Sequence, residues 1–165
     1  MELLTADNPR DTAIAWGFVI GQFALLLTVL ALPSGDAWVA PDGALTVARG
    51  VGLAGLAALI AGLLNLGRSL TALPTPVPHG VLRTGGLYRL VRHPIYTGII
   101  ALALGSTVPS GSVPKALATM ALIGWFSAKA RWEEHHLRAR YAGYDDYAAR
   151  TPRFVPWWPF GADRR

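Results

Sequence analysis

The residues with the clearest chemical potential are Arg92 and His93, which directly precede an apolar run that starts at Pro94. Proline suits the first turn of a helix, because its missing N–H would be unpaired there anyway. The pattern therefore predicts a helix start at Pro94 with His93 at or near the cap. The free N–H groups of that turn point back toward Arg92, an arrangement typical of a carboxylate-binding site. A purely structural interpretation, in which Arg92 anchors the helix to lipid phosphates, stays open.

A second polar segment, Lys129–Leu137, contains two adjacent carboxylates, Glu133 and Glu134. We expect it to continue the preceding apolar helix beyond the membrane. Adjacent carboxylates can neutralise an ammonium or sulfonium group and accept hydrogen bonds from sugar hydroxyls. The simpler interpretation is an ion pair between Glu134 and Arg138, one helical turn apart.

The chain ends in an aromatic, basic stretch in which tyrosines recur at positions 141, 144 and 147, followed by Thr151–Trp158. Tyrosine and tryptophan favour the membrane interface, where the ring is buried and its polar end is wet. The same rings could also surround a cationic sulfonium. Both interpretations remain open on composition alone.

Several other chemistries are disfavoured. The chain has no cysteine, which excludes disulfides, thiolate zinc ligands and a cysteine nucleophile. His135 and His136 are adjacent, so that on a helix their rings diverge by about 100°, and we expect no metal site. The serines lack the strand–turn–helix setting of a hydrolase nucleophile. The glycines of 50–66 follow no strand and precede no lysine, which argues against a phosphate-binding loop.

The elements that must position these residues are predicted to be membrane helices. Only 15% of the residues are charged and 52% are hydrophobic, whereas soluble domains carry about 25% charged residues. Thr12–Leu32 and Gly50–Leu66 are uncharged runs suited to full crossings, the first being roughly 30 Å long as a helix. We expect Arg49 at the outer end of the second helix, and a close-packing stripe at Ala54, Ala58 and Gly62.

Two shorter apolar runs, Pro94–Val108 and Ala116–Ala128, are separated by Pro109-Ser110-Gly111-Ser112. They predict a helical hairpin of about 20 Å. The predicted fold is thus all-α and polytopic, with two full transmembrane helices in 1–66, then a cytosolic loop, a hairpin and a helical cytoplasmic tail in 67–165. We expect residues 1–165 to form one membrane-embedded domain.

The distribution of positive charge predicts the orientation. Loop 33–43 has no Lys or Arg, loop 67–93 has four arginines, and the chain from Lys129 on carries eight cationic residues. Positively charged loops stay on the cytoplasmic side, so both termini are expected there. The excess of Arg over Lys, with abundant Ala and Gly, is typical of a GC-rich microbial genome, so we expect a bacterial inner membrane. The net charge of +5 suits anionic lipid headgroups. No helix presents a basic stripe for reading nucleic acid, so no nucleic-acid partner is expected. The oligomeric state stays open.

Two stretches of the chain resemble the signatures of one family. Residues 82–98 contain a G-x-Y-x-x-x-R-H-P-x-Y-x-G string, which resembles the first signature of the isoprenylcysteine carboxyl methyltransferase and phospholipid methyltransferase superfamily. The second signature resembles Glu133-Glu134-x-x-Leu137, then Tyr144, Tyr147 and Pro152-Arg153-Phe154. The resemblance covers roughly 65–157 and implies membrane helices whose cofactor pocket is closed by the C-terminal segment.

The resemblance also implies roles for individual residues. The cofactor would be S-adenosylmethionine, held by Tyr88, His93, Pro94, Tyr96, Gly98, Glu133, Glu134 and Tyr147. Catalytic roles would fall to Arg92, Glu133, Glu134 and Arg153. Which glutamate contacts the cofactor is left open at this point.

The implied reaction is methyl transfer to a lipophilic acceptor that enters from the bilayer, with a carboxylate, amine or thiol as the accepting group. The protein would accelerate this reaction mainly by aligning the reactants and excluding water. Two alternatives remain: a sterol-type membrane reductase that uses NADPH, and a non-catalytic membrane subunit with the same fold. The acceptor itself cannot be read from the sequence.

Overall fold

The computed structural model describes residues 9–66 and 82–156, and within these ranges every regular element is helical. This confirms the all-α prediction. The five α-helices are α1 (Pro9–Ala31), α2 (Asp42–Leu66), α3 (Pro94–Thr107), α4 (Val113–Arg140) and α5 (Tyr144–Arg150). Short 3₁₀ turns occupy Gly86–Arg89 and Val108–Ser110. Predictions for 67–81 and for 157–165, including the tryptophans after Pro156, lie outside the described residues.

The two helices predicted to cross the membrane are long and apolar enough to do so. Their outward surfaces carry large apolar side chains. For example, Leu30 is 75% exposed and Leu64 is 77% exposed. Exposing so much contiguous apolar surface to water would be unfavourable, whereas lipid tails are a suitable solvent for it.

Three helices begin earlier than predicted. Helix α1 begins at Pro9 and not at Thr12. Helix α2 begins at Asp42 and not at Gly50, so Arg49 lies about two turns inside the helix and not at its end. Helix α4 begins at Val113 and not at Ala116, where the Ser112 side chain caps it by accepting from the Lys115 N–H. As expected, α4 continues without a break past Ala128. Its 28 residues give a length of about 42 Å.

Helices α2 and α3 pack so closely that their backbones nearly touch. A Cβ added at Gly98 would lie 2.6 Å from the Gly55 carbonyl oxygen, and one added at Gly105 would lie 2.8 Å from the Ala48 oxygen. Gly62 packs against Ile95. The α2 side of this contact follows Ala48, Gly52, Gly55 and Gly62. Of the predicted stripe, Gly62 belongs to it and Ala54 is exposed.

Helices α1 and α4 also run antiparallel. The Trp125 ring of α4 lies directly over Gly21, and its indole N–H donates to the Phe18 carbonyl at 3.1 Å. Farther along, Phe18 contacts Trp132, with ring centroids 6.0 Å apart. The end of α4 that bears Glu133 and Glu134 is therefore level with the N-terminal half of α1.

The opposite end of the bundle is closed by the two interhelical loops. The Gly35 and Ala37 N–H groups donate to the Ser110 and Gly111 carbonyls at 2.8 and 2.9 Å. The Trp38 indole donates to the Val108 carbonyl at 2.8 Å. These bonds fix the turn between α3 and α4, which leaves their other ends to converge on the polar residues.

The α2–α3 contact yields a first prediction. Gly98→Ala should lower the thermal unfolding midpoint, because the added methyl collides with backbone atoms that cannot move aside. Overpacking of this kind costs about 1–3 kcal/mol. Unfolding of the purified protein in detergent, followed by circular dichroism, measures the change.

Gly124→Ala is the matched control, since no atom of residues 9–66 or 82–156 lies within 4 Å of a Cβ added at Gly124. Its Tm should stay level or rise slightly, because alanine is the better helix former. Equal Tm values for both variants would contradict the packing account.

Candidate active site

Glu134 is the hub of the polar cluster at the convergence of α3 and α4. Its side chain is fully buried. Arg153 donates to both carboxylate oxygens, at 2.9 and 2.7 Å. Arg92 donates to Oε1 through Nε at 3.1 Å, and His93 Nε2 lies 3.1 Å from the same oxygen. The ion pair between Glu134 and Arg138, considered above as the simpler interpretation, is wrong, because Arg138 pairs instead with the exposed Asp145 at 2.8 Å.

The charge state of Glu134 follows from these partners. Burial alone would raise the pKa of this carboxyl, but the hydrogen bonds from Arg153 and His93 and the charge of Arg92 outweigh it and hold the pKa well below its usual range. The same bond to Glu134 raises the pKa of Arg153. Glu134 is therefore a permanent anion bound by permanent cations.

The chain after α5 is fastened across the start of α3 by backbone bonds. The Arg92 N–H donates to the Pro152 carbonyl at 2.8 Å, and the His93 N–H donates to the Arg153 carbonyl at 3.2 Å. The Arg92 guanidinium also donates to the Ala148 and Thr151 carbonyls. We refer to residues 151–154 as the C-terminal strap. Because of these bonds, the strap and the α3 cap form one unit.

Glu133 has different surroundings, although it is adjacent in sequence. The Tyr96 hydroxyl donates to its Oε1 at 2.5 Å, and His93 Nδ1 lies 3.4 Å from its Oε2. The Glu133 side chain retains 16% exposure, whereas that of Glu134 has none. Glu133 is therefore the carboxylate of the pair that a ligand can reach.

His93 lies between the two carboxylates and stacks on Tyr96, with ring centroids 5.3 Å apart and planes within 5°. Burial lowers the pKa of His93, but hydrogen bonds to Glu133 and Glu134 more than compensate and raise it above the ordinary value. A carboxylate at each ring nitrogen favours the imidazolium, since only that form donates from both nitrogens.

The remaining predicted site residues lie around this centre. The Tyr147 hydroxyl donates to the Tyr88 carbonyl at 2.6 Å, which ties α5 to the turn before α3. Burial and the nearby charge of Glu133 raise the pKa of Tyr88 to about 12. Pro94 is buried in the first turn of α3. Gly98 faces α2, so the structure gives it a packing role, and its contact with a cofactor stays a prediction.

Two features of this region were missed from sequence. Lys129 is buried and donates to the side chain of Gln22 of α1 at 2.6 Å. The Tyr144 hydroxyl is buried and has no hydrogen-bond partner among the described residues. The sequence did contain a signal for the bond between Lys129 and Gln22. A glutamine lies within one apolar run and a lysine lies at the end of another, both at the depth of the membrane. Nothing in the local sequence marks the second.

Comparison with known proteins identifies the family of this chain. Residues 46–143, more than half of the chain, match the family described as phospholipid methyltransferase. The chain belongs to the phospholipid methyltransferase family. This confirms the resemblance found in the two signatures. Together with the apolar outer surfaces of α1 and α2, membership also makes the chain an integral membrane protein.

Three relatives match this chain over different shares of their lengths. Protein-S-isoprenylcysteine O-methyltransferase B of Arabidopsis thaliana is 33% identical over 100 residues, covering 58% of this chain and 50% of the relative. Nickel-cobalt-cadmium resistance protein NccN of Alcaligenes xylosoxydans xylosoxydans is 30% identical over 164 residues, covering 93% and 71%. The Schizosaccharomyces pombe protein-S-isoprenylcysteine O-methyltransferase is 33% identical over 81 residues, covering 48% and 34%. The chain thus spans about half the length of the plant relative.

The buried cluster predicts a strong dependence of folding on Glu134. Glu134→Gln removes the charge that neutralises Arg92 and Arg153, and breaking such a buried pair costs about 3–5 kcal/mol. We expect a large fall in Tm at pH 7. The control, Asp145→Asn, removes a pair whose members are 44% and 76% exposed and should cost less than about 1 kcal/mol.

The effect should also depend on pH. The folded-state pKa of Glu134 lies below its unfolded value of about 4.5, so the stabilisation is complete above that pH and is lost as the pH falls below it. The difference in Tm between the wild type and Glu134→Gln should therefore shrink as the pH falls below 4.5. A difference that keeps growing below pH 4.5 would contradict the assignment.

Proposed function

We propose that the protein is a membrane-embedded methyltransferase that takes its methyl group from S-adenosylmethionine and transfers it to a lipophilic acceptor. The observation that carries this proposal is the junction of the α3 cap with Glu133 and Glu134. Two sequence motifs meet there in one partly buried cluster, although Tyr96 and Glu133 are 37 residues apart in the chain. Family membership supports the class of reaction.

The residues present suit a sulfonium cofactor. Its two cationic groups, the sulfonium and the amine, require an accessible anion, and Glu133 supplies one. Aromatic faces stabilise a sulfonium in the same way as an ammonium. The Tyr96 and Phe154 rings, whose centroids lie 5.3 and 5.9 Å from that of His93, supply such faces here. The Tyr144 hydroxyl, which has no hydrogen-bond partner in the described part of the chain, is a further polar group in the region. Burial and the nearby charge of Glu134 raise its pKa.

The geometry favours separate roles for the two glutamates. Glu133 is the contact for the cationic part of the cofactor, with His93 and Tyr96 holding its carboxylate in place. Glu134, Arg92 and Arg153 act as positioning residues, since they bind one another and fasten the strap. Tyr88, Tyr147 and the α3 turn at Pro94 enclose the site, and Gly98 sets the distance of that turn from α2.

When bound, the cofactor supplies an activated methyl group attached to a good leaving group. The chain's own residues then have three tasks: they bind the donor, exclude water beneath the strap and admit the acceptor. A carboxylate or thiolate acceptor arrives ionised. An amine acceptor must lose a proton, for which Glu133 is the accessible base.

The proposed location is a bacterial inner membrane with both termini in the cytoplasm. The charge asymmetry of the loops supports this orientation. It exposes the α3 cap, the C-terminal end of α4 and the strap to the cytosol, where a water-soluble nucleotide cofactor is available.

The proposal predicts specific nucleoside binding. The purified protein should bind S-adenosylhomocysteine in isothermal titration calorimetry and should not bind NADPH. Glu133→Gln and His93→Ala should each weaken S-adenosylhomocysteine binding at least tenfold, because Glu133 contacts the cofactor and His93 holds the Glu133 carboxylate in place.

His135→Ala is the matched control, since His135 is exposed and adjoins the acidic pair. Its affinity should stay within twofold of the wild type, and circular dichroism should show all three variants folded. The proposal fails if the folded wild type does not bind S-adenosylhomocysteine at millimolar concentration, or if it binds NADPH instead.

A further inference from the structure

The 3₁₀ turn before α3 ends with a cation and an apolar side chain on the surface of the protein. Arg89 is the last residue of the turn and is exposed, and Leu90, its C-cap, is 50% exposed. We refer to Arg89 and Leu90 as the turn pair. Leucine is unfavourable in water and arginine is unfavourable among lipid tails, so the two together suit the boundary between these solvents.

The turn lies beside the end of a helix that is long enough to cross the membrane. Gly86, the first residue of the turn, packs so closely on α2 that an added Cβ would lie 2.7 Å from the Asn65 Oδ1. Helix α2 has 25 residues and is therefore about 37 Å long, more than the roughly 30 Å of the hydrocarbon core. Its ends therefore reach the head-group layers, and the contact with Asn65 places the turn at one of them.

The apolar outer surface of α2 extends to the level of the turn. Leu64, which directly precedes Asn65, is 77% exposed. Leu90 adds apolar surface at this level and Arg89 adds a positive charge. Within residues 9–66 and 82–156 the Arg89 guanidinium has no hydrogen bond or ion pair, so the described contacts give it no task in the fold. The lipid-anchoring role that was considered for Arg92 therefore suits Arg89 better, because Arg92 binds Glu134 instead.

We propose that the turn pair is a docking site for an anionic phospholipid, with the Arg89 guanidinium on the lipid phosphate and Leu90 against the upper part of the acyl chains. A guanidinium binds phosphate through two parallel hydrogen bonds. A zwitterionic lipid carries its own cation beside the phosphate, so an anionic lipid gains more from Arg89. The inference goes beyond the proposed function and does not depend on it, because this lipid is neither methyl donor nor acceptor.

Docking at the turn pair would fix the depth of one wall of the candidate active site. Tyr88 directly precedes Arg89, and its carbonyl accepts a hydrogen bond from the Tyr147 hydroxyl at 2.6 Å. A lipid held at Arg89 therefore holds the segment that joins the membrane surface to α5.

A fluorescent label can report which lipid lies at the turn pair, because the chain has no cysteine of its own. Leu90→Cys is labelled with bimane and placed in phosphatidylcholine nanodiscs that contain the same mole fraction of brominated phosphatidylglycerol or brominated phosphatidylcholine. Both brominated lipids should quench the label. Phosphatidylglycerol should quench it at least twofold more strongly, because the positive charge of Arg89 enriches anionic lipid there. Adding Arg89→Gln should make the two lipids equal, whereas Arg89→Lys should keep the preference.

Three controls separate local docking from general contact with the membrane. Leu27→Cys places the label on the outer side of α1, where the native side chain is 65% exposed, and both lipids should quench it equally. Asp146→Cys places the label on an exposed position of α5, and neither lipid should quench it appreciably. Arg131→Gln removes an exposed positive charge from α4 and should leave the lipid preference at position 90 unchanged.

Three results would overturn the inference. Quenching at position 90 as weak as at position 146 would mean that the turn pair faces water or protein and not lipid. Equal quenching at position 90 by the two brominated lipids would remove the anionic preference. A preference that persists in Arg89→Gln, shown to be folded by circular dichroism, would mean that Arg89 is not its source.

Discussion

The structure depends above all on how one buried carboxylate is neutralised. Glu134 has no exposed side-chain surface, and an ion in that position is tolerated only if its partners are close and well oriented. Arg92 and His93 come from the start of α3, and Arg153 comes from the strap after α5. A single anion therefore draws together three segments that are distant in the chain. Separating any one of them would leave a charge buried without its counterion, which makes the cluster cooperative.

This arrangement explains why two adjacent glutamates have such different surroundings. Successive residues on a helix point about 100° apart, so Glu134 faces the α3 cap and the strap while Glu133 faces Tyr96 and the accessible edge. One carboxylate holds the site together and the other is available to a ligand. The length of α4 matters for the same reason: it carries both groups beyond the apolar hairpin and also carries Lys129 below them.

Much of this could be predicted from the sequence because the relevant signals are local. Uncharged runs indicate the membrane helices, and the two polar signatures indicate residues that must converge. The unpredicted features depend on partners distant in the chain or on register. The early start of α2 was not predicted because Asp42 and Arg49 are charged, so that the uncharged run begins only at Gly50. The α2 residues that contact α3 are spaced by four and then by three positions, from Ala48 through Gly52 to Gly55. The sequence prediction used a spacing of four alone and therefore included Ala54, which is exposed. Lys129 and Gln22 are 107 positions apart, and neither residue alone indicates the other.

The central claim is that the α3 cap and the acidic pair of α4 together form one nucleoside site open to the cytosol. An experimental structure of the full chain with S-adenosylhomocysteine tests it most directly. The account predicts density for the ligand between Glu133, His93 and the strap, with the ligand's amine or sulfur facing the Glu133 carboxylate and with Glu134 still bound by Arg92 and Arg153. A ligand held between α1 and α2, or one touching only the α3 cap or only α4, would contradict it.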